Sequence, residues 1–184
     1  MNTWKPLVES LLRERGPALF GYAYVLTGDK HAADDLVQDA LVRTFQRGRG
    51  GYSIDQAHVY VKRAMLSAFI DGKRRAKARP ELAGVEASGA VGDHADAVTA
   101  QVALRRAILS LPPRERACIV LRYLDDLPVE GVARELNIAP GTVKRYLSDA
   151  LARLRESHPD LEDLNDMLSG GTHRVAVIDK ENRS

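Results

Sequence analysis

The stretch "GTVKRYLSDA", Gly141 to Ala150, places three hydroxyls, an ammonium, a guanidinium and a carboxylate among apolar residues. At helical spacing Val143, Leu147, Ala150, Leu151 and Leu154 run down one face. Thr142, Lys144, Arg145, Ser148 and Asp149 are left on the other. Lysine and arginine on an open helix face can neutralise phosphates, and an arginine can fork onto the edge of a guanine. The chemistry this pattern offers is recognition of a nucleic acid.

Two further sets of residues offer binding chemistry. Seven bases (Lys62, Arg63, Lys73, Arg74, Arg75, Lys77 and Arg79) stand against one acid, Asp71, between positions 62 and 79. With Tyr52 and Tyr60 close in sequence, this run suits a single strand: an aromatic ring stacks an unpaired base while the cations hold the backbone. The alternative is a solvated, basic helix end. The third set is Asp34, Asp35, Gln38 and Asp39, an acidic, polar group. Paired acids such as Asp34 and Asp35 can serve catalysis, but a charged helix face explains them more simply.

These residues need elements to carry them. Helix formers dominate and runs of strand formers are nearly absent before the tail, so the class expected is all-α. "PALFGYAYVLTG" is helical and stops at Gly28. "DKHAADDLVQDALVRTFQR" begins with Asp29 as N-cap and carries a stripe of Ala33, Leu36, Val37, Ala40, Leu41 and Phe45. The acidic set lies largely off that stripe. "GRGGYSID" is a loop by its glycines. "AHVYVKRAMLSAFIDGKRRAKAR" is one long helix or two, apolar early and basic late.

From Pro80 the composition turns small and acidic, with four acids and no Lys or Arg up to Ala100, which is the pattern of a linker. Helical spacing returns at "VTAQVALRRAILSL", breaks at Pro112–Pro113 and resumes in "RERACIVLRYL". "VEGVARELNIAPGTVKRYL" then reads as two helices with a tight break at Asn137–Ile138. Val132, Ala133 and Leu136 face inward, and small Ala133 lets the second helix cross closely. Ile138 plugs the core and Pro140 suits a first helical turn. This is the pattern of a helix-turn-helix, although a helical hairpin with an ordinary charged face has the same periodicity.

Other classes find less support. His31, His58, His94, His158 and His173 lack metal-ligand spacing, so no cofactor is expected. Cys118 lies in the apolar run "ACIVL" and reads as core, and a lone cysteine allows no internal disulfide. "GRGG" and "SGGTHR" lack the spacing and lysine of a phosphate loop. No apolar run suits a bilayer and the first residues lack the apolar stretch of a signal peptide, which points to a cytoplasmic protein without membrane insertion. A non-enzymatic binding protein is expected.

"ILSLPPRERACIVLRYLDDLPVEGVARELNIAPGTVKRYLSDALARLR" resembles the promoter-reading domain of RNA polymerase sigma factors, in the sigma-70 family and of the extracytoplasmic-function type, actinobacterial-like in character. "LTGDKHAADDLVQDALVRTF" resembles the polymerase-binding helix of the same family. Tyr60–Val61 followed by "AFIDGKRR" resembles its promoter-melting segment. The resemblance spans roughly Leu7 to Arg155.

It implies two small helical domains. Residues 1–79 would bind core polymerase through Asp34, Asp35, Gln38 and Asp39. They would also recognise and melt the −10 element through Tyr52, Tyr60, Arg63, Lys73, Arg74, Arg75 and Lys77. Residues 80–97 would be a flexible acidic linker. Residues 98–157 would read the −35 element through Thr142, Lys144, Arg145 and Ser148. Implied partners are core RNA polymerase, promoter DNA and an anti-sigma factor, with a monomer when free. A stand-alone helix-turn-helix regulator is the alternative, and it leaves the acidic face and the second basic segment without a use.

The chain departs from the family pattern at several positions. Gly131 stands where an acid is frequent, Asn137 where Gly is, and Ala139 where Ser is. Tyr60 replaces a frequent Trp and Ser67 a frequent Asn. Loss of a capping hydroxyl at Ala139 costs about 1 kcal/mol of helix stability. The tail, 158–184, lies outside the resemblance. Leu161, Leu164, Met167 and Leu168 suggest a short helix there, after Pro159.

Overall fold

The computed structural model describes residues 4–46, 51–78 and 100–157, with the side chains of 73–78 and 100–101 left aside. The expected linker (80–97) and tail (158–184) lie outside these residues. Among the described residues there are seven α-helices, one π-helical turn and no strand, so the all-α class holds. The chain divides into two compact units, Met1–Gly89 and Ala90–Ser184.

The first unit is a three-helix bundle: α1 (Trp4–Thr27), α2 (Lys30–Phe45) and α3 (Ile54–Ala78), each packed on the other two. α1 begins well before the segment that the pattern marked and carries Pro17 inside it. It ends where Gly28 takes a φ of 79°, a conformation that costs a glycine little. α2 starts as expected: Asp29 is its N-cap and accepts a 2.8 Å hydrogen bond from Ala32 N–H. α3 is one unbroken helix. Side-chain contacts tie it to α1. Arg15 pairs with Asp55 at 2.9 Å, and the Lys62 ammonium sits 4.4 Å from the Tyr22 ring centre. The partners are seven residues on in both helices, so α1 and α3 run parallel. The core holds Leu11, Leu19, Leu26, Leu36, Phe45, Val61 and Met65. Val37 and Leu41 are only half-buried, at the edge of the expected stripe.

The second unit comprises α4 (Ala100–Ser110), α5 (Pro113–Ile119), the π-helical turn Val120–Leu124, α6 (Val129–Leu136) and α7 (Pro140–Ser157). Pro113 opens α5, where its missing N–H is no loss. The π turn closes with Asp125 N–H on the Val120 carbonyl at 3.2 Å, and Asp126 follows at φ 49°. Such a turn widens the helix by one residue and redirects the chain into α6. Ile108, Leu111, Ile119, Val120, Val132, Val143 and Leu154 form the core, with the free thiol of Cys118 among them. Burial foremost, then the field of Glu115, pushes that thiol up to about 12, against a smaller opposing effect of Arg114.

Candidate polymerase and nucleic-acid interfaces

α2 presents the acidic face intact. Ala33, Leu36, Ala40 and Phe45 are buried, while Asp34, Asp35, Gln38 and Asp39 are all exposed. Asp39 is held by Arg43 at 2.8 Å one turn on, a surface pair worth a few tenths of a kcal/mol. Val42 follows Gln38 by one turn and is 57% exposed. It adds an apolar spot to a polar face, and the sequence reading passed over it. Its signal was an apolar residue lying off the buried stripe.

α3 builds the second surface from its first turn. Ser53 and Gln56 form a reciprocal cap: Gln56 N–H donates to Ser53 Oγ at 3.2 Å and Ser53 N–H to Gln56 Oε1 at 3.0 Å. This S-x-x-Q pattern satisfies two orphan donors and fixes how the chain enters the helix. Tyr52, just before the cap, is thereby laid against Tyr60: their ring centres are 4.9 Å apart, tilted by 49°. Tyr60 is 42% exposed and Arg63 is exposed. Helical register puts Tyr60, Arg63 and Ser67 on one face. Lys73, Arg74, Arg75 and Lys77 lie in the last turns of α3, and their side chains fall outside the description. The exposed Tyr60 ring, backed by the half-buried Tyr52 and with a guanidinium one turn away, can stack a planar base beside a phosphate.

α6 and α7 form the helix-turn-helix. Asn137 ends α6 in the left-handed conformation, φ 50°. Ile138 N–H reaches the Ala133 carbonyl at 3.1 Å and Asn137 N–H the Arg134 carbonyl at 3.3 Å. The two bonds make a Schellman closure, in which asparagine stands in for glycine. Ala133 is buried as expected, but Ile138 and Leu136 are only half-buried. The turn lies at the rim of the unit, so Ile138 covers the core and does not plug it. At Gly131 a Cβ would come within 3.2 Å of Pro128 Cδ and 3.4 Å of Leu127 Cβ, so a side chain there needs the Leu127–Pro128 corner to give way. α7 starts without a side-chain cap, its first bond being Thr142 N–H to the Ala139 carbonyl at 2.9 Å.

Val143, Leu147, Ala150 and Leu154 are buried; Lys144, Arg145 and Ser148 are exposed, and Thr142 is half-buried at the margin. The Arg145 guanidinium carbon lies 5.4 Å from the ring centre of Tyr146, a cation–π contact between neighbours.

Two charges escaped the sequence reading. Glu115 and Arg116 are both buried. Arg116 donates to the carbonyls of Leu109 and Leu111, the latter at 3.1 Å, and so closes the C-terminal end of α4. Burial lowers it to about 10, so it remains cationic at neutral pH. Glu115 meets Arg153 of α7 at 3.2 Å. No group of three or more His, Cys, Asp or Glu among the described residues is placed to hold a metal ion, and no described helix is long and apolar enough to cross a membrane.

The family description "Sigma-70 region 2" matches residues 11–79, and "Sigma-70, region 4" matches residues 101–154. The chain is 33% identical over 147 residues to the ECF RNA polymerase sigma factor SigM of Mycobacterium tuberculosis, covering 79% of this chain and 74% of that protein. It is 34% identical over 152 residues to the RNA polymerase sigma-E factor of Streptomyces avermitilis, covering 80% and 83%. In fold it is similar to the sigma factor RpoE, solved in complex with the anti-sigma factor NepR from Bartonella quintana. There the TM-score is 0.60 at 24% identity, over 84% of this chain and 98% of that one. With both regions matched in family order, and with relatives at this identity over most of their length, the chain belongs to the sigma-70 family of RNA polymerase sigma factors, in its extracytoplasmic-function branch.

Proposed function

We propose that the protein acts as a dissociable initiation subunit in the cytoplasm, directing core RNA polymerase to specific promoters and helping to open the DNA there. It is a binding protein and not an enzyme. The carrying observation is the match to regions 2 and 4 on two separate helical units, each with an exposed polar face suited to its role. In this reading residues 1–79 dock on core polymerase through Asp34, Asp35, Gln38 and Asp39. Tyr52, Tyr60 and Arg63, with Lys73, Arg74, Arg75 and Lys77 further along α3, hold the opened strand at the −10 element. Residues 98–157 read the −35 element through Thr142, Lys144, Arg145 and Ser148.

Residues 80–97, which join the two, let each contact be weak, because the first to form raises the effective concentration of the second. Monomeric behaviour when free, and regulation by an anti-sigma factor, belong to the same proposal.

The test is transcription from purified core polymerase on promoter-bearing DNA. Specific transcripts that depend on added protein are the expected result. Sequence-specific binding to DNA without any such transcripts would instead make the chain a stand-alone helix-turn-helix regulator.

A further inference from the structure

Glu115 is 7% exposed, and its carboxylate is directed at α7. It belongs to the first turn of α5, where an anion is favoured by the helix dipole. Its Oε2 accepts no hydrogen bond among the described residues, and its ionic contact is the 3.2 Å approach to Arg153 Nε. With Glu115 buried and Arg153 exposed, the pair is a poor source of stability, since desolvation of the carboxylate offsets much of the attraction; the attested use of such a pair is to specify one arrangement over its neighbours. The surroundings favour that use here. Asp149 stands one turn before Arg153 on the same side of α7. Burial raises the titration of Glu115, the charge of Arg153 opposes this, and that of Asp149 adds to it, so both α7 charges act on this one carboxylate.

We infer that Glu115 is a positioning residue for DNA reading, setting the axial and rotational register of α7 through attraction to Arg153 and repulsion from Asp149. Sliding α7 by four residues, about 6 Å, would bring like charge opposite Glu115. Rotating it by about 20° would carry side-chain tips some 6 Å from the axis through about 2 Å, enough to break a hydrogen bond to a base edge. Arg145 and Ser148 stand on the stretch of α7 that this lock orients. The inference rests on α7 being the DNA-reading helix.

The experiment uses the full chain and two probes: a duplex selected from a random library by the wild-type protein with core polymerase, and a scrambled duplex of equal length and composition. Glu115→Gln keeps the shape and removes the charge. Arg153→Gln breaks the same pair from its exposed end, where the side chain is 59% accessible, and so guards against a Glu115 variant that fails to fold. The expected result is that each variant lowers the selected-to-scrambled affinity ratio by about tenfold, the worth of one well-placed base contact. For Glu115→Gln the scrambled affinity should stay within about twofold, because backbone attraction does not depend on register.

A ratio unchanged in both variants overturns the inference. So does a loss of affinity equal on both probes and matched by a lowered thermal midpoint, which is what a purely structural pair would produce. If the wild-type protein itself yields no selected duplex, the promoter-reading proposal fails instead, and the two failures are distinguishable.

Discussion

The rings of Tyr52 and Tyr60 lie 4.9 Å apart, although one precedes α3 and the other sits within it. The Ser53–Gln56 cap turns the incoming chain so that the first ring meets the second. Neither ring is spent on the core: Tyr60 is exposed and Tyr52 half-buried. Two aromatics left at a surface with Arg63 beside them favour capture of an unpaired base.

Replacing Tyr60 with Ala should therefore weaken melting and leave the bundle folded. A stacked base is worth about 1–3 kcal/mol, so open-complex formation should fall by about tenfold or more at unchanged core affinity. Permanganate reactivity of the −10 thymines reads this directly; a normal bubble in the variant would contradict the assignment.

Asp35→Arg combined with Gln38→Ala should lower affinity for core polymerase by about tenfold, or about 1.4 kcal/mol. Both side chains are exposed, so the circular-dichroism spectrum and melting point should match wild type. Titration of labelled core enzyme measures the loss. An unaltered binding curve would move the docking face elsewhere.

Arg145→Ala should cost about 1–3 kcal/mol on the best −35 sequence and relax preference at one base pair if the guanidinium reads a base edge. Affinities for a panel of single-substitution duplexes, all at one salt concentration, decide it. A loss equal across the panel would make Arg145 a phosphate contact.

The pH dependence of stability carries a sign. Glu115 is raised above its usual 4.5, chiefly by burial, so the folded chain binds this proton more tightly than the unfolded one. The resulting stabilisation is full below 4.5 and is lost as pH rises through the raised value. Stability of Glu115→Gln relative to wild type should thus increase from about pH 4 toward neutrality. Urea unfolding followed across that range should show the trend, and a difference moving the other way would mean that Arg153 outweighs burial.

Much of the architecture was legible in residue order because it is written at short range. Asp29 as N-cap, the buried stripe of α2, the stop at Asn137 and the outward set of Lys144, Arg145 and Ser148 all follow from contacts within about four residues, where 3.6-residue periodicity and capping chemistry operate. The fine grading of burial was less legible. Val37, Leu41, Leu136 and Ile138 are apolar yet only half-buried, because a stripe's edge is set by where the neighbouring helix ends and not by the residue itself.

What tertiary packing alone decided are the pairings between distant positions. Arg15 with Asp55, Tyr22 with Lys62, and Glu115 with Arg153 join different helices, and no local rule states which helices will lie side by side. The π turn at Val120–Leu124 is of the same kind: its wider hydrogen bonding is tolerated because the flanking helices hold the chain in place. Glu115 and Arg116 look like solvent-facing charges in "RERACIVL", since charge in a sequence implies exposure by default. They are buried because Leu109 in α4 and Leu111 just after it supply carbonyls for Arg116, while α7 supplies the Arg153 guanidinium for Glu115.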